Sequence, residues 1–224
     1  MMSSASPALF RAENLACRRG ERLVFQDLHF SLPAGGALLL LGPNGSGKSS
    51  LLRLLAGLLK PEAGSLFWGD QSLSEDREAH AGRLHYLGHQ DSLKNVLTVR
   101  ENLAFWARLH DPEAGEAQID AALAAFALAP LAELPAKLLS AGQRRRLALS
   151  RLLAAEAPLW LLDEPSVGLD HASVARLERM IAEHRAAGGI VLLSTHVDLG
   201  VEDAGRLHLD HFAPKARAAQ EVWA

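Results

Sequence analysis

Residues 42–49 constrain the fold of this chain more than any other segment. They read Gly-Pro-Asn-Gly-Ser-Gly-Lys-Ser and fit the pattern G-x-x-x-x-G-K-[ST]. Glycines at this spacing let backbone N–H groups turn inward and surround phosphate oxygens without Cβ clashes. An apolar run precedes the motif at residues 37–41, and leucines at helical spacing follow it over residues 49–59. This order of buried strand, glycine-rich loop and helix predicts a phosphate-binding loop rather than an ordinary glycine-rich turn.

The side chains of this loop have separate predicted roles. We expect Lys48 to reach the β- and γ-phosphates of a nucleotide and the Ser49 hydroxyl to ligate Mg²⁺. The helix that begins near Lys48 adds the positive end of its dipole. The predicted nucleotide-binding residues of this segment are Gly42, Pro43, Asn44, Gly45, Ser46, Gly47, Lys48, Ser49 and Ser50.

Two adjacent carboxylates follow a second apolar run at residues 159–162. Asp163, at the predicted strand tip, is placed to hold Mg²⁺, often through water. Glu164 is placed to act as the general base that polarises the attacking water. A polar strand end before the turn at Pro165 would look the same, but the phosphate-binding loop upstream favours the catalytic interpretation.

A third segment, Leu-Ser-Ala-Gly-Gln at residues 139–143, lies between these two motifs. Ser140 is predicted to cap a helix over residues 144–153, and a hydroxyl at a helix N-terminus makes a good clamp for a γ-phosphate. An ordinary capping turn is the alternative. Because a helical insert would hold this segment far from Lys48 in one chain, a second copy must bring it to the phosphate. The predicted nucleotide ligands of the segment are Ser140, Gly142 and Gln143.

Two single residues complete the predicted site. Gln90 follows a predicted strand at residues 84–88, where its amide could contact Mg²⁺ or the attacking water, or could be solvated. His196 follows the apolar run at residues 190–193, where an imidazole could meet the γ-phosphate, although a lone histidine is often structural. With Glu164, both are predicted as catalytic residues, and Gln90 also as a metal ligand.

The rest of the chain alternates between strand and helix patterns. Residues 9–32 alternate apolar and polar side chains around a turn at residues 19–21, which predicts an antiparallel hairpin. Alanine- and leucine-rich helices are predicted within residues 98–153, starting at a capping box of Thr98 and Glu101. The other predicted elements are a strand at residues 63–68, a polar loop at 69–78, a helix at 173–186 and helix breaks at Asp111-Pro112 and Pro130.

Strands that alternate with helices around a helical insert imply a mostly parallel sheet. We therefore predict the α/β fold of a P-loop NTPase, with a RecA-like, mostly parallel sheet core, an N-terminal antiparallel β subdomain and a helical insert. The predicted domain covers residues 7–212, with the helical subdomain at about 92–157 and a short C-terminal tail at 213–224.

Composition narrows the class of function. The net charge of −3 gives no electrostatic footprint for nucleic acid, so we expect no nucleic-acid partner. No apolar run approaches the ~20 residues that a bilayer span needs, and the N-terminus lacks the basic and apolar regions of a signal peptide. The single cysteine, Cys17, excludes an internal disulfide.

Taken in this order, the motifs resemble the ATP-binding cassette family. The resemblance extends to Ser-Val-Gly-Leu-Asp at residues 166–170, which is similar to the family's D-loop. It implies that two copies sandwich two MgATP between the phosphate loop of one copy and residues 139–143 of the other, and that a membrane subunit binds the pair. The family usually has an aromatic ring near Arg18 and Arg19 to stack on adenine. An arginine or Phe25 must replace it here, and use of GTP stays open.

Several segments are more specifically similar to the haem exporter ATP-binding subunit of bacterial cytochrome c maturation: residues 86–94, 97–103, 139–143 and 188–196. This resemblance implies an integral membrane permease, a peripheral position on the cytoplasmic face of the bacterial inner membrane, and hydrolysis linked to release of a haem-loaded chaperone. Residues 90–106 are the expected permease contact. Its apolar side chains either line a groove for the partner or are buried in the helical insert; they are Leu93, Val96 and Leu97.

We expect no haem to bind this chain itself. The ten histidines are scattered, and although His208 and His211 could share a face, a solvated pair is the simpler interpretation. Cys17 is followed by Arg18 and not by the proline typical of haem-regulatory motifs.

Three other functions are compatible with parts of the sequence. An ATPase subunit for another exported cargo (drug, lipid or peptide) would share every chemical motif. A soluble cassette ATPase acting on ribosomes or DNA usually carries two cassettes or a long coiled-coil insert, and this chain has neither. A small-molecule P-loop kinase would use the same phosphate loop but has no need for residues 139–143, and it would act as a monomer.

Overall fold

The computed structural model describes residues 10–214 as two β-sheets and two groups of helices. The strands are β1 (Phe10–Arg19), β2 (Arg22–Leu32), β3 (Ala37–Leu41), β4 (Ala63–Trp68), β5 (Gln71–Ser72), β6 (Leu84–Leu87), β7 (Leu159–Asp163), β8 (Ile190–Ser194) and β9 (Gly205–His208). The α-helices are α1 (Lys48–Leu55), α2 (Arg77–Gly82), α3 (Val99–His110), α4 (Glu116–Ala125), α5 (Ala141–Ala154) and α6 (His171–Ala186).

The larger sheet is parallel and has the strand order β6-β7-β8-β3-β9. Every residue of β7 and β8 is buried, as expected for strands that are covered by helices on both faces. On one face of β7, Trp160 and Leu162 belong to the same core as α3 to α6, and on the other face Leu159 and Leu161 pack with α1 and the second sheet. Because these strands run parallel, the loops that follow β3, β6, β7 and β8 all lie at the same edge of the sheet.

The smaller sheet is antiparallel, with the strand order β2-β1-β4-β5. A two-residue turn joins β1 to β2, because Arg19 pairs with Arg22. Phe25 and Leu28 of β2 are fully buried, so this sheet closes over α1 and the base of the phosphate loop. The predicted antiparallel subdomain is confirmed.

The helical insert also follows the predicted pattern. Thr98 Oγ1 accepts a hydrogen bond from the Glu101 N–H, and the Glu101 carboxylate accepts one from the Thr98 N–H, which forms the predicted capping box. Helix α3 ends at His110, before Pro112, and α4 ends at Ala125, before Pro130. No helix within residues 10–214 combines the length and apolar character needed to cross a bilayer.

The ends of some elements differ from the prediction. Helix α1 ends at Leu55 and not at residue 59, because Gly57 adopts a left-handed φ of 73° and turns the chain. Leu58 is consequently 67% exposed. Helix α6 begins at His171, two residues earlier than predicted, because the Asp170 carboxylate accepts a hydrogen bond from the Ser173 N–H.

Two segments contain structure that the prediction left out. The polar loop at residues 69–78 includes β5 and the start of α2, whose N-cap is Asp76. Strand β9, which pairs with β3, was not predicted. It is four residues long and its one buried apolar residue is Leu207, with buried Leu209 just after its end. Of the predicted domain limits, residues 7–9 and most of the tail at 213–224 lie outside the described residues.

Four imidazole and indole rings lie near the first residues of β6 and β7, two of them buried (His85 and Trp160) and two half-buried (His110 and His184). The ring centroids of His85 and His110 are 4.3 Å apart, and the His184 ring stacks on Trp160 at 3.9 Å. His85 Nε2 is 2.8 Å from the Ala155 carbonyl oxygen. Burial, with a contribution from neighbouring positive groups, lowers the pKa of His85 to about 4, and burial also lowers the pKa of His184 to about 4.

We expect acid to destabilise the fold through these histidines. The unfolded chain binds protons near pH 6.5 that the folded chain excludes until about pH 4, so the free energy of unfolding falls as the pH drops through this window. His85 alone accounts for up to about 3 kcal/mol of this loss. Urea unfolding between pH 5 and pH 7.5 measures it.

His85→Gln should flatten this pH dependence, since glutamine keeps an N–H donor but cannot be protonated. His29 is exposed, and His29→Gln is the matched control that keeps the wild-type slope. An unchanged slope in His85→Gln would contradict the assignment.

Candidate functional site

The phosphate loop runs from the end of β3 to the start of α1. Lys48, the first residue of α1, curls back so that its Nζ donates to the carbonyl oxygens of Gly42 at 2.6 Å and Pro43 at 3.2 Å. The ammonium group thereby lies inside the loop, next to the first turn of the helix. Free N–H groups and a positive helix end at this point form a site for anionic phosphate oxygens.

Gly47 is the position at which this loop most clearly requires glycine. Its φ is 109°, a left-handed value that other residues rarely adopt. A Cβ atom built there would lie 2.6 Å from Cγ1 of Val24 on β2. The antiparallel sheet therefore packs so closely behind the loop that only a residue without a side chain fits.

A cavity of about 320 Å³ opens in front of the loop and is lined by half of the predicted site residues. The phosphate loop, the two carboxylates after β7 and three residues of the β1–β2 hairpin form its walls. The lining residues are Arg19, Arg22, Val24, Asn44, Gly45, Gly47, Lys48, Ser49, Ser50, Asp163 and Glu164.

Ser194, at the end of β8, forms hydrogen bonds with both Asp163 and Glu164. Its hydroxyl donates to Asp163 Oδ1 at 2.7 Å and accepts from the Glu164 N–H at 3.1 Å. Asp163 is buried, with 3% of its surface exposed. Asp163 is therefore fixed by this contact at the end of a buried strand, where it lines the cavity.

Glu164 has an unusual backbone conformation and a histidine neighbour. Its φ is 49°, in the left-handed region that costs a residue with a Cβ roughly 1–2 kcal/mol. Nε2 of His196 lies 3.3 Å from Glu164 Oε1. The structure thus brings together two of the three predicted catalytic residues, which are far apart in the sequence.

The cavity also has the donor set that a hard divalent cation requires. The hydroxyl of Ser49 and the carboxylate of Asp163 both line it, and oxygen ligands of this kind suit Mg²⁺. The predicted metal residues Ser49 and Asp163 fit this ion. Gln90 is exposed on the loop after β6 and is not among the residues that line the cavity within the described chain.

Residues 139–143 lie apart from this cavity, whose lining within residues 10–214 includes none of them. Ser140 caps α5 as predicted: its Oγ accepts from the Gln143 N–H at 3.3 Å, and Gln143 Oε1 accepts from the Ser140 N–H at 2.8 Å. Gly142 packs against the carbonyl of Gly168, where a Cβ atom would lie 3.1 Å from the oxygen. The helix start is therefore intact but belongs to a different surface of the chain.

The structure corrects one predicted contact to the base. Phe25 was one candidate to stack on adenine, but it is fully buried in the core and does not reach the cavity. Arg18 Nε pairs with Glu62 at 3.1 Å, away from the cavity lining. Arg19 and Arg22 do line the cavity, so the arginine alternative is the one that the geometry favours.

Sequence reasoning did not identify a buried arginine behind the site. Arg145 on α5 donates hydrogen bonds to the carbonyl oxygens of Asp163 and Glu164 at 3.0 and 2.7 Å. The run of three arginines after Gln143 was visible in the sequence, but nothing in it distinguished the buried member from its neighbours. Ser194 was likewise visible only as the end of an apolar strand.

Comparison with known proteins places the chain in a family. Residues 25–167 match the family described as ABC transporter, and this span covers more than half of the chain. The chain belongs to this family and is one of its ATPases. The predicted P-loop NTPase fold is confirmed by a solved structure described as "Structure of ATP binding subunit of ABC transporter", which aligns with a TM-score of 0.80 and 26% identity over 90% of this chain and 86% of that one.

Closer relatives specify the type of ATPase. The chain is 64% identical to the cytochrome c biogenesis ATP-binding export protein CcmA of Paramagnetospirillum magneticum, over 93% of this chain and 97% of the relative. It is 62% identical to the protein of the same name in Rhodospirillum rubrum, over 96% of this chain and 91% of the relative. The chain is therefore an ABC ATPase of the CcmA type.

The close packing at Gly47 makes a specific prediction. Gly47→Ala should weaken ATP binding about tenfold or more, because the left-handed φ and the contact with Val24 both force the loop to shift. Titration with a fluorescent ATP analogue measures the Kd. Gly82→Ala is the control, since a Cβ atom there meets no atom within 4 Å and its φ is not left-handed. An unchanged Kd for Gly47→Ala would contradict this description of the loop.

Proposed function

We propose that this ATPase is the energy-supplying subunit of a membrane export complex in bacterial cytochrome c biogenesis, and that its ATP hydrolysis is linked to release of a haem-loaded chaperone. The observation that carries the proposal is the 64% identity, over nearly the whole of both chains, to a relative named as a cytochrome c biogenesis ATP-binding export protein. We place the chain on the cytoplasmic face of the inner membrane, bound to an integral membrane permease, and assign no haem site to the chain itself.

The ATP phosphates bind in the phosphate loop in this proposal. Lys48 Nζ already lies among the loop carbonyls and moves to the β- and γ-phosphate oxygens. Ser49 and Asp163 would hold Mg²⁺, which would supply positive charge to stabilise the phosphoryl oxygens. Arg19 or Arg22, which both line the cavity, stacks on the base in place of an aromatic ring.

Glu164 is the proposed general base. Its carboxylate lines the same cavity as Lys48 and can accept a proton from the water that attacks the γ-phosphate. His196, at 3.3 Å from Glu164 Oε1, is exposed and orients the carboxylate or contacts the γ-phosphate. Gln90, on the neighbouring loop, is exposed and reaches the water or the metal only after the site closes.

A second copy of the chain completes each site. Ser140 and Gly142 form a capped helix N-terminus that lies outside the cavity of their own chain, which leaves this anion-binding end for another copy's γ-phosphate. Val167 and Val197, next to the predicted D-loop serine and to His196, are 55% and 52% exposed. Apolar side chains beside a polar site favour a surface that a partner copy covers.

The permease contact is proposed at residues 90–106. Val96 is 83% exposed, whereas Leu93 and Leu97 are half-buried against the helical insert. The exposure of Val96 supports the alternative in which it meets the partner, and the partial burial of the two leucines supports the alternative of packing within the chain. On α3, Phe105 and Leu109 lie one helical turn apart and are also exposed, which extends the apolar surface.

Glu164→Gln tests the mechanism. We expect turnover to fall by about 100-fold or more, because an amide cannot accept the proton, while ATP-dependent dimerisation is kept. Steady-state phosphate release and size-exclusion chromatography with ATP measure the two effects. Rapid hydrolysis by the variant would remove Glu164 as the base.

The same variant, trapped with ATP, tests the pathway. Tagged Glu164→Gln protein is purified from solubilised native membranes, and the proteins that accompany it are identified by mass spectrometry. The proposal expects a small integral membrane protein together with cytochrome c maturation factors. A different permease would contradict the haem pathway, and recovery of ribosomal or other soluble proteins alone would contradict the transport function.

A further inference from the structure

We propose that Arg145 is the positioning residue for the general base: it holds Glu164 in its left-handed conformation and ties it to the loop that follows β6. This inference rests on the proposed role of Glu164. Arg145 is 6% exposed and is not among the described residues that line the ATP cavity, so it acts through Glu164 and not on the nucleotide.

One side of the Arg145 guanidinium surrounds the backbone of Glu164. Nη2 donates to the carbonyl oxygens of Asp163 at 3.0 Å and Glu164 at 2.7 Å, and Nε donates to that of Pro165 at 3.3 Å. These are three consecutive carbonyl groups, and the middle one belongs to the residue with the positive φ. A strained conformation persists only where its surroundings determine it, and this planar cation supplies that constraint on the carbonyl side.

Ser194 supplies the constraint on the opposite side. The Glu164 N–H is within 3.1 Å of both the hydroxyl and the carbonyl oxygen of Ser194. The backbone of Glu164 is therefore fixed at its N–H by β8 and at its carbonyl by α5. Because φ and ψ set the direction of the side chain, the position of α5 controls where the Glu164 carboxylate points in the cavity.

The other side of the guanidinium binds the loop after β6. Nη1 donates to the carbonyl oxygen of Gly88 at 3.1 Å and to Asp91 Oδ1 at 3.1 Å. Arg151, one and a half turns further along α5, donates to the Asp91 carbonyl oxygen. Asp91 thus links α5 to the first residues of the proposed permease contact, and its charge compensates the buried guanidinium.

All five N–H groups of Arg145 are occupied by these contacts. A displacement of the loop after β6 must therefore move the guanidinium or break its hydrogen bonds, and either change reaches the Glu164 carbonyl directly. Three elements of the proposed mechanism therefore meet at this one side chain: the permease contact, the helix that begins at Ser140 and the general base. Arg145 accordingly makes hydrolysis sensitive to the state of the membrane partner.

Arg145→Lys tests the inference in the full chain. Lysine keeps the charge but has its three donors on one nitrogen, so it cannot span the carbonyls and Asp91 together. We expect kcat to fall by about 10- to 100-fold, as for other displacements of a catalytic group, with little change in the KM for ATP and with ATP-dependent dimerisation kept. Arg108→Lys is the matched control, because Arg108 is exposed and bonds to Glu116 on the surface.

Asp91→Asn is the second variant in case Arg145→Lys folds poorly. Asparagine is nearly isosteric with aspartate, so this variant removes only the negative charge on the loop after β6. We expect kcat to fall, but by less than in Arg145→Lys. Thermal unfolding of all variants separates a lost fold from a displaced base. A wild-type kcat in both variants, or a loss of ATP binding and dimerisation in parallel with kcat, would overturn the positioning role.

The double variant separates this inference from the proposed function. If Arg145 acts through Glu164, the residual single-turnover rate of Glu164→Gln stays the same when Arg145→Lys is added. A further loss by the factor seen in the wild-type background would overturn the inference and leave Glu164 as the base. Rapid turnover by Glu164→Gln alone would instead overturn the base assignment.

Discussion

The parallel register of β3, β7 and β8 is the constraint on which the rest of the site depends. Leu40 pairs with Ser194, and Asp163 pairs with Ser194, so the ends of three buried strands lie side by side. The phosphate loop, the carboxylates and the histidine each follow one of these ends. Because β7 and β8 are apolar and buried along their whole length, a one-residue slip would bury polar side chains in the core and move the carboxylates away from the cavity.

The hairpin of β1 and β2 closes the site from the other side. Val24 packs behind Gly47, and Arg19 and Arg22 line the cavity. The phosphate loop therefore depends on both sheets: it follows β3 of the parallel sheet, and β2 of the antiparallel sheet packs behind it. An ATP molecule bound here would contact both sheets, which explains why the antiparallel subdomain belongs to the ATPase and not to a separate binding unit.

Glu164 has a strained backbone that is held by hydrogen bonds with two different parts of the fold. Ser194 of the sheet core accepts a hydrogen bond from the Glu164 N–H, and Arg145 of the helical insert donates one to the Glu164 carbonyl oxygen. A base supported in this way is sensitive to the position of the insert. The chain thus connects the helix that begins at Ser140 with the proposed general base.

Most of the fold and the phosphate-binding half of the site could be predicted, because motifs such as residues 42–49 and runs such as residues 159–162 determine local structure directly. The end of α1 was missed because the leucine pattern continues past Gly57, where backbone conformation overrides periodicity. Strand β9 was missed because an edge strand is too short and polar to leave a pattern.

The long-range contacts of the site could not be predicted from the sequence for a different reason. Whether Phe25 faces the core or the base depends on the packing of two sheets, and the role of Arg145 depends on carbonyl groups, which every residue has. Neither leaves a signature in residue types. The roles of the individual site residues stay predictions until variants test them.

The composite site is the central claim, and subunit mixing tests it most directly. Lys48→Ala and Ser140→Arg each disable both sites of their own dimer. In a mixed dimer one site carries both changes, and the other combines the intact Lys48 of one copy with the intact Ser140 of the other. We predict that mixing the two inactive proteins restores about a quarter of the wild-type ATPase activity, if the copies pair at random and the sites work independently. No recovery on mixing, with heterodimers shown to form, would contradict the account.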